Sequence, residues 1–154
     1  MVISESRWSN TAHAVLFGGL GLHVAIMAIV IGGGSKPVAW IPLLFAYGLT
    51  LAALWAFQVL RVRVEGTDLK VGFGIFSKRI PLHDINQVAP VQYRWVQWGG
   101  WGIRLRRGAV MYNVPGDQGR AVELTLRNGK RVLFSAEDPA AVATAIRAQC
   151  ATVP

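Results

Sequence analysis

The chain has 154 residues, of which 53% are hydrophobic and only 16% are charged. Soluble globular domains contain about 25% charged residues, so this composition argues against a single soluble domain. The apolar residues are concentrated in the first sixty positions. Such a division predicts membrane segments followed by a water-facing module.

The formal net charge of +8 is also unevenly distributed. Fourteen of the sixteen lysines and arginines and seven of the eight acids lie from Arg61 onward, so that part alone carries +7. Basic domains attract nucleic acid, acidic proteins or anionic lipid. A domain next to a bilayer meets lipid phosphates first, so we expect anionic lipid rather than nucleic acid. Cys150 is the only cysteine, which excludes an intramolecular disulfide and a thiolate metal cluster.

Two apolar runs without charged residues, 11–31 and 40–60, predict two transmembrane helices. Each has 21 residues, and about 20 residues cross a hydrocarbon core roughly 30 Å thick. The short link between them predicts a helical hairpin over residues 1–60, followed by a domain over residues 61–154. Lys36 is the one charged residue of the link, whereas the chain after the second run is basic. This asymmetry predicts that both termini are cytoplasmic, at a bacterial inner membrane.

Small residues recur every three or four positions along one face of the first predicted helix, and a shorter set follows in the second. They are Ala14, Gly18, Gly21, Ala25, Ala28 and Gly32, then Gly48, Ala52 and Ala56. Faces of this kind let helix backbones approach closely. The simplest interpretation is that the two faces pack the hairpin together.

His23 lies near the middle of the first predicted helix, about 200° around the axis from Gly21 and so away from the small face. A polar ring at that depth needs cover from protein or a ligand. One interpretation is a hydrogen-bonded or interfacial histidine that faces a partner subunit or a second copy. The alternative is axial ligation of a haem or chlorophyll-type tetrapyrrole, with Gly19 leaving room for the ring. No other cofactor is predicted.

From Arg61 onward apolar and polar residues alternate, which is the pattern of half-buried strands. The alternation predicts about seven short antiparallel strands. Asn128-Gly129 is a hairpin signal, and Asp138-Pro139 predicts the start of a C-terminal helix. We therefore expect a small β-rich domain closed by one helix.

Several stretches of this half resemble the pleckstrin-homology-like (PH-like) domains of small bacterial membrane proteins. They are Ile80-Pro81-Leu82-His83-Asp84-Ile85, Gly100-Trp101-Gly102-Ile103-Arg104, Ala121-Val122-Glu123-Leu124-Thr125-Leu126, Asn128-Gly129-Lys130-Arg131 and Asp138-Pro139. They follow the order of that family over residues 61–149, with a departure at Phe134-Ser135-Ala136. The resemblance implies binding or scaffolding at a membrane. It supplies no catalytic residues and no phosphoinositide specificity.

No motif in the chain predicts catalysis. Gly72-Phe73-Gly74 and Gly100-Trp101-Gly102 are too short for a dinucleotide-binding loop, and the neighbours His83 and Asp84 have no nucleophile in a recognisable setting. Three histidines, two of them in or beside the first apolar run, make no convergent metal set. The sequence therefore predicts a protein that is not an enzyme and has no metal and no small-molecule substrate.

Residues 93–107 form the most distinctive segment because tryptophan, tyrosine and arginine are concentrated there. The candidate residues are Tyr93, Arg94, Trp95, Trp98, Trp101, Arg104, Arg106 and Arg107. Their alternation is consistent with side chains that fill the domain core. Trp, Tyr and Arg also dominate protein interfaces, and the same residues suit a lipid headgroup layer. Stacking on single-stranded nucleic acid is the least favoured alternative.

These observations predict a non-catalytic accessory or scaffolding subunit of a larger membrane protein complex. Whether that complex is respiratory, photosynthetic or secretory is left open. The principal alternative is a membrane-anchored module that binds anionic lipid headgroups through Arg104, Arg106 and Arg107.

Overall fold

A computed structural model describes residues 1–32 and 40–152. The chain divides into two compact units, a helical one over Ser9–Ala56 and a β-rich one made of Met1–Trp8 and Phe57–Pro154. The predicted division placed all of residues 1–60 in the membrane hairpin. The structure instead assigns the first eight residues to the β-rich unit, where they form a strand.

The helical unit contains α1, Asn10–Gly32, and α2, Trp40–Ala56. The Ser9 side chain begins α1, because its hydroxyl accepts a hydrogen bond from the Ala12 backbone N–H at 3.1 Å. The stretch Asn10–Ile29 has a mean hydropathy of 1.8 and is not buried within the chain. Of the helices in the described residues, α1 alone is long and apolar enough to cross a membrane.

The prediction of a second spanning helix over residues 40–60 is wrong in extent. The helix α2 has 17 residues and ends at Ala56, which leaves it shorter than a full span. The apolar residues after it belong to the β-rich unit: Leu60 is fully buried there, and the Gln58 carbonyl accepts from the Trp8 N–H. Hydropathy did not mark this junction because the apolar run continues across it. The predicted link with Lys36 lies outside the described residues.

The first sheet is an antiparallel meander of four strands. They are β1 (Val2–Arg7), β2 (Val59–Glu65), β3 (Asp68–Phe73) and β4 (Phe76–Pro81), in the spatial order β1-β2-β3-β4. Alternation along β2 and β3 is clear, with Leu60, Val62, Leu69 and Val71 buried and the residues between them facing outward. The strand β1 pairs with β2 although the whole helical unit separates them in sequence.

The second sheet has five strands in the spatial order β5-β8-β9-β7-β6. They are β5 (Ile85–Gln92), β6 (Gly102–Arg106), β7 (Ala109–Asn113), β8 (Arg120–Leu126) and β9 (Arg131–Ser135). The pair β7–β9 is parallel, with Tyr112 opposite Phe134, so the prediction of antiparallel strands alone is wrong at this pair. The other pairs are antiparallel.

The described residues contain nine strands rather than about seven. The prediction missed β1, whose partner is far away in sequence, and β5, where a register shift between Ile85 and Gln87 disturbs the alternation. The predicted C-terminal helix is confirmed as α3, Pro139–Ala151. The Asp138 carboxylate accepts from the Ala141 N–H at 3.0 Å, and α3 packs against β1, β5 and β8 through buried residues that include Val142 and Ile146.

Candidate functional site

The aromatic segment connects β5 to β6 and folds as a short 3₁₀ helix, Trp95–Trp98. Gly99 ends it with a left-handed backbone at φ 75°, and its N–H donates to the Val96 carbonyl at 3.1 Å. This tight turn brings together two tryptophans that lie six positions apart. The rings of Trp95 and Trp101 stack with their centroids 4.7 Å apart and an interplanar angle of 24°.

The segment divides its side chains between the core and the surface. Tyr93 and Trp98 are half-buried and pack against a buried cluster that includes Met111. Trp95 and Trp101 remain 44% and 36% exposed in spite of their stacking. We call the exposed group Trp95, Val96, Trp101 and Leu105 the Trp surface; Val96 is 62% and Leu105 77% exposed. Core packing therefore explains only part of the aromatic pattern.

Two arginines of the segment pack onto it rather than extend freely. The Arg106 guanidinium lies 5.6 Å from the ring centroid of Trp98, within cation–π distance. Arg104 lies over Gly100, where an added Cβ would be only 3.0 Å from its Nη2 atom. The half-buried Arg104 has a buried Nε without a hydrogen-bond partner in the described part of the chain. Arg94 and Arg107 are exposed.

A cavity of about 470 Å³ opens beside the Trp surface. It is lined by Tyr93, Arg94, Trp95, Val96, Trp101, Gly116, Asp117, Gln118 and Gly119. Its polar wall is the Asp117 carboxylate, which accepts hydrogen bonds from the hydroxyls of Tyr93 and Ser135 and from the Gly119 N–H at 3.0 Å. The cavity thus combines stacked indole rings with one half-buried carboxylate.

The Tyr93 hydroxyl is a hydrogen-bond donor rather than an acid–base group. Burial and the hydrogen bond to Asp117 raise the pKa of Tyr93 well above its usual range. The phenol stays neutral near pH 7 and fixes the Asp117 side chain. Sequence reasoning did not identify Asp117 and Ser135, because Pro115-Gly116-Asp117 reads only as a turn and Ser135 joins it from β9.

The described residues include no group of three histidine, cysteine or acidic side chains that could hold a metal ion. His83 and Asp84 lie 3.5 Å apart, between Nε2 and Oδ1, with both side chains largely exposed. No nucleophilic side chain is hydrogen-bonded to either of them among the described residues.

In the helical unit, the small-residue face is not packed as the sequence suggested. An added Cβ at Gly18, Gly21 or Gly48 would meet nothing within 4 Å. The alanines of the set, Ala14, Ala25, Ala28 and Ala52, are exposed and Ala56 is half-buried; the surroundings of Gly32 lie outside the description. His23 instead faces the second helix, with its ring centroid 5.9 Å from that of Tyr47.

No family model, no curated protein and no solved structure matches this chain. The resemblance to PH-like domains and the tetrapyrrole alternative at His23 both stay predictions from sequence.

Proposed function

We propose that this protein is a non-catalytic, membrane-anchored accessory subunit whose β-rich unit holds a partner protein at the Trp surface. The observation that supports this function best is the exposure of Trp95 and Trp101, 44% and 36%, within one stacked pair. Aromatic side chains left open next to a cavity are typical of interface anchors. α1 would supply the membrane anchor, with both termini in the bacterial cytoplasm as the basic residues after α2 favour.

The geometry favours a protein partner over a lipid surface at this site. Headgroup binding needs guanidinium groups that are free to reach phosphates. Arg104 lies over Gly100 and Arg106 on Trp98, so two of the three arginines predicted to bind headgroups are packed onto the segment, whereas Arg107 is exposed. The cavity is concave and offers the Asp117 carboxylate. It therefore suits an inserted side chain of a partner, with the rings of the Trp surface as its rim.

Site-specific photocrosslinking tests this function in the native host. A photoreactive phenylalanine analogue replaces Val96, an exposed residue of the Trp surface that also lines the cavity. In a matched variant it replaces Thr144, exposed on α3. We expect one defined protein adduct from position 96 and none of the same mass from position 144. In the position-96 chain, the further change Trp101→Ala should remove that adduct.

Two results would count against the proposal. The first is a position-96 chain that forms no protein adduct while the crosslinker reacts with lipid alone. The second is an adduct of the same mass and yield from both positions, because that partner would not be recognising the Trp surface.

A further inference from the structure

The outward face of the first sheet carries a second concave site, on different strands from the Trp surface. We call it the basic groove: Arg61 and Arg63 of β2, Lys70 of β3, and Ser77 of β4 enclose a cavity of about 90 Å³ together with Gly72 and Gly74. The strand register builds it, since Arg63 pairs with Lys70 and Arg61 with Gly72, and Gly72 pairs with Ser77. Three cations and a hydroxyl therefore lie on neighbouring strands around one hollow.

Gly72 lets the backbone of β4 approach β3 closely at the groove because it has no side chain. An added Cβ would lie 2.3 Å from the Phe76 carbonyl oxygen and 2.4 Å from the Ser77 Cα atom, and the Gly72 φ of +151° disfavours other residues. Any larger residue would displace β4 at this point. The close approach of β3 and β4, which brings Ser77 to the wall of the groove, therefore depends on glycine at position 72.

Arg63 is the cation whose charge is least compensated in this groove. Its half-buried side chain has no ion pair within the described residues, and its buried Nε has no hydrogen-bond partner there. A buried donor without an acceptor is unfavourable. An anion in the groove would supply the missing acceptor.

Carboxylates lie at the rim and compensate only part of the charge. Glu5 accepts from the Arg61 Nε at 3.1 Å and also from Arg7, and Glu65 lies 3.9 Å from the Lys70 Nζ. The three cations of the groove thus meet two carboxylates, one of them shared with Arg7. The site keeps a net positive charge.

The turn between β3 and β4 adds an apolar element beside the groove. Ile75 is 88% and Phe76 47% exposed, and both lie between the groove residues Gly74 and Ser77. Phe76 stacks on Phe57 at 5.4 Å between ring centroids, and Phe57 directly follows the last residue of α2. Exposed apolar side chains next to cationic ones suit the headgroup layer of a membrane, where the apolar groups can reach the acyl chains and the cations can bind phosphates.

We propose that the basic groove binds one phosphate group, with Arg63, Arg61 and Lys70 as charged donors and Ser77 as the neutral donor. The phosphate belongs to an anionic membrane lipid, whose acyl region would meet Ile75; soluble phosphate has the same chemistry and is the competing source. This inference does not depend on a partner protein at the Trp surface.

Lipid titration of the full chain tests the groove. The protein is purified in an uncharged detergent, and native mass spectrometry measures bound phosphatidylglycerol, diacylglycerol and inorganic phosphate. Arg63→Gln is compared with Arg127→Gln, which makes the same charge change at the exposed β8–β9 turn. We expect Arg63→Gln to weaken phosphatidylglycerol binding at least about tenfold, and Arg127→Gln to leave it within about twofold.

Comparison of these ligands distinguishes a lipid phosphate from a soluble one. Preference for phosphatidylglycerol over inorganic phosphate, reduced by Ile75→Ser, supports the lipid. Equal binding of both, with the same sensitivity to Arg63→Gln, supports the groove but assigns it to a soluble phosphate. Equal effects of Arg63→Gln and Arg127→Gln, or binding of diacylglycerol as tight as that of phosphatidylglycerol, would overturn the proposal. If Arg63→Gln does not fold, Ser77→Ala keeps all three cations and should still weaken phosphate binding.

Discussion

At the scale of single residues, the hydrogen bonds to Asp117 fix the cavity beside the Trp surface. Its carboxylate accepts from Tyr93 and Ser135, which belong to distant parts of the chain. The Ser135 hydroxyl also accepts from the Val114 N–H at 3.3 Å. The network therefore joins β9 to the segments that follow β5 and β7. Such networks make a rigid wall because every member is held by another.

Replacement of Tyr93 by phenylalanine tests this network. We expect Tyr93→Phe to lower the free energy of unfolding by about 1.5–3 kcal/mol at pH 7, since one partly buried hydrogen bond to a carboxylate is lost. The folded-state pKa of Tyr93 is raised above the value of about 10 of an unfolded tyrosine. Wild-type stability should therefore fall as the pH rises above about 10.

The measurement is thermal unfolding of the full chain in detergent between pH 7 and 11. The melting temperatures of wild type and Tyr93→Phe should converge at high pH, because ionisation of this phenol destabilises only the wild type. Tyr112→Phe is the control at pH 7. The pKa of Tyr112 is raised by burial alone, whereas that of Tyr93 is raised by burial and by the hydrogen bond to Asp117. Equal melting temperatures of wild type and Tyr93→Phe at pH 7 would show that the network adds no stability.

At the scale of elements, β1 ties the first residues of the chain to the β-rich unit. Trp8, just after β1, is buried at 7% exposure, and its indole N–H donates to the Phe57 carbonyl at 2.8 Å. The predicted domain boundary placed this tryptophan in the membrane hairpin, over residues 1–60. The structure shows instead that Trp8 belongs to the core of the β-rich unit.

Truncation of the two kinds of tryptophan should therefore have different effects. Trp8→Ala removes a buried ring and a hydrogen bond, and we expect a loss of about 3–5 kcal/mol in the stability of the β-rich unit. Trp95→Ala removes a ring that is 44% exposed, and its loss should be clearly smaller. Hydrogen exchange of the β2 amides in the full chain measures the loss of stability in each variant. Faster exchange in Trp95→Ala than in Trp8→Ala would contradict the assignment of Trp8 to the core.

The sequence predicted the elements whose signals are local and missed those that depend on distant pairing. Sequence predicts the alternation of β2 and β3, and the Asp138 cap of α3, because burial and capping act on residues that are close together in the chain. β1 could not be read, because its partner β2 lies beyond the helical unit. The Trp95–Trp101 stack depends on a glycine turn, whereas the carboxylate beside it comes from a segment that only the fold brings near.

At the scale of the whole molecule, the pairing of β1 with β2 constrains the path of the chain through a membrane. β1 precedes α1, β2 follows α2, and the two strands share one hydrogen-bonded sheet. A sheet of this kind cannot be divided by a bilayer, so the chain must leave and return on the same side. If α1 crosses, the chain after it must return to the same side before β2 begins.

The helix α2 is short for this task. Its 17 residues give about 26 Å of helix at 1.5 Å per residue, compared with a hydrocarbon core of roughly 30 Å. Local thinning of the bilayer accommodates such a difference at a modest free-energy cost.

Cysteine labelling in intact cells tests the path. In a Cys150→Ser background, single cysteines replace Val2 and Asn128, both exposed, and Ser35 of the link. We expect a membrane-impermeant maleimide to label position 35 from outside, and positions 2 and 128 only after the inner membrane is opened, because both positions belong to the β-rich unit, which the proposed orientation places in the cytoplasm. Labelling of positions 2 and 128 from opposite sides would contradict the assignment of β1 to the β-rich unit. Protection of position 35 from outside reagent, with labelling after opening, would mean that the helical unit lies in the interface and does not cross.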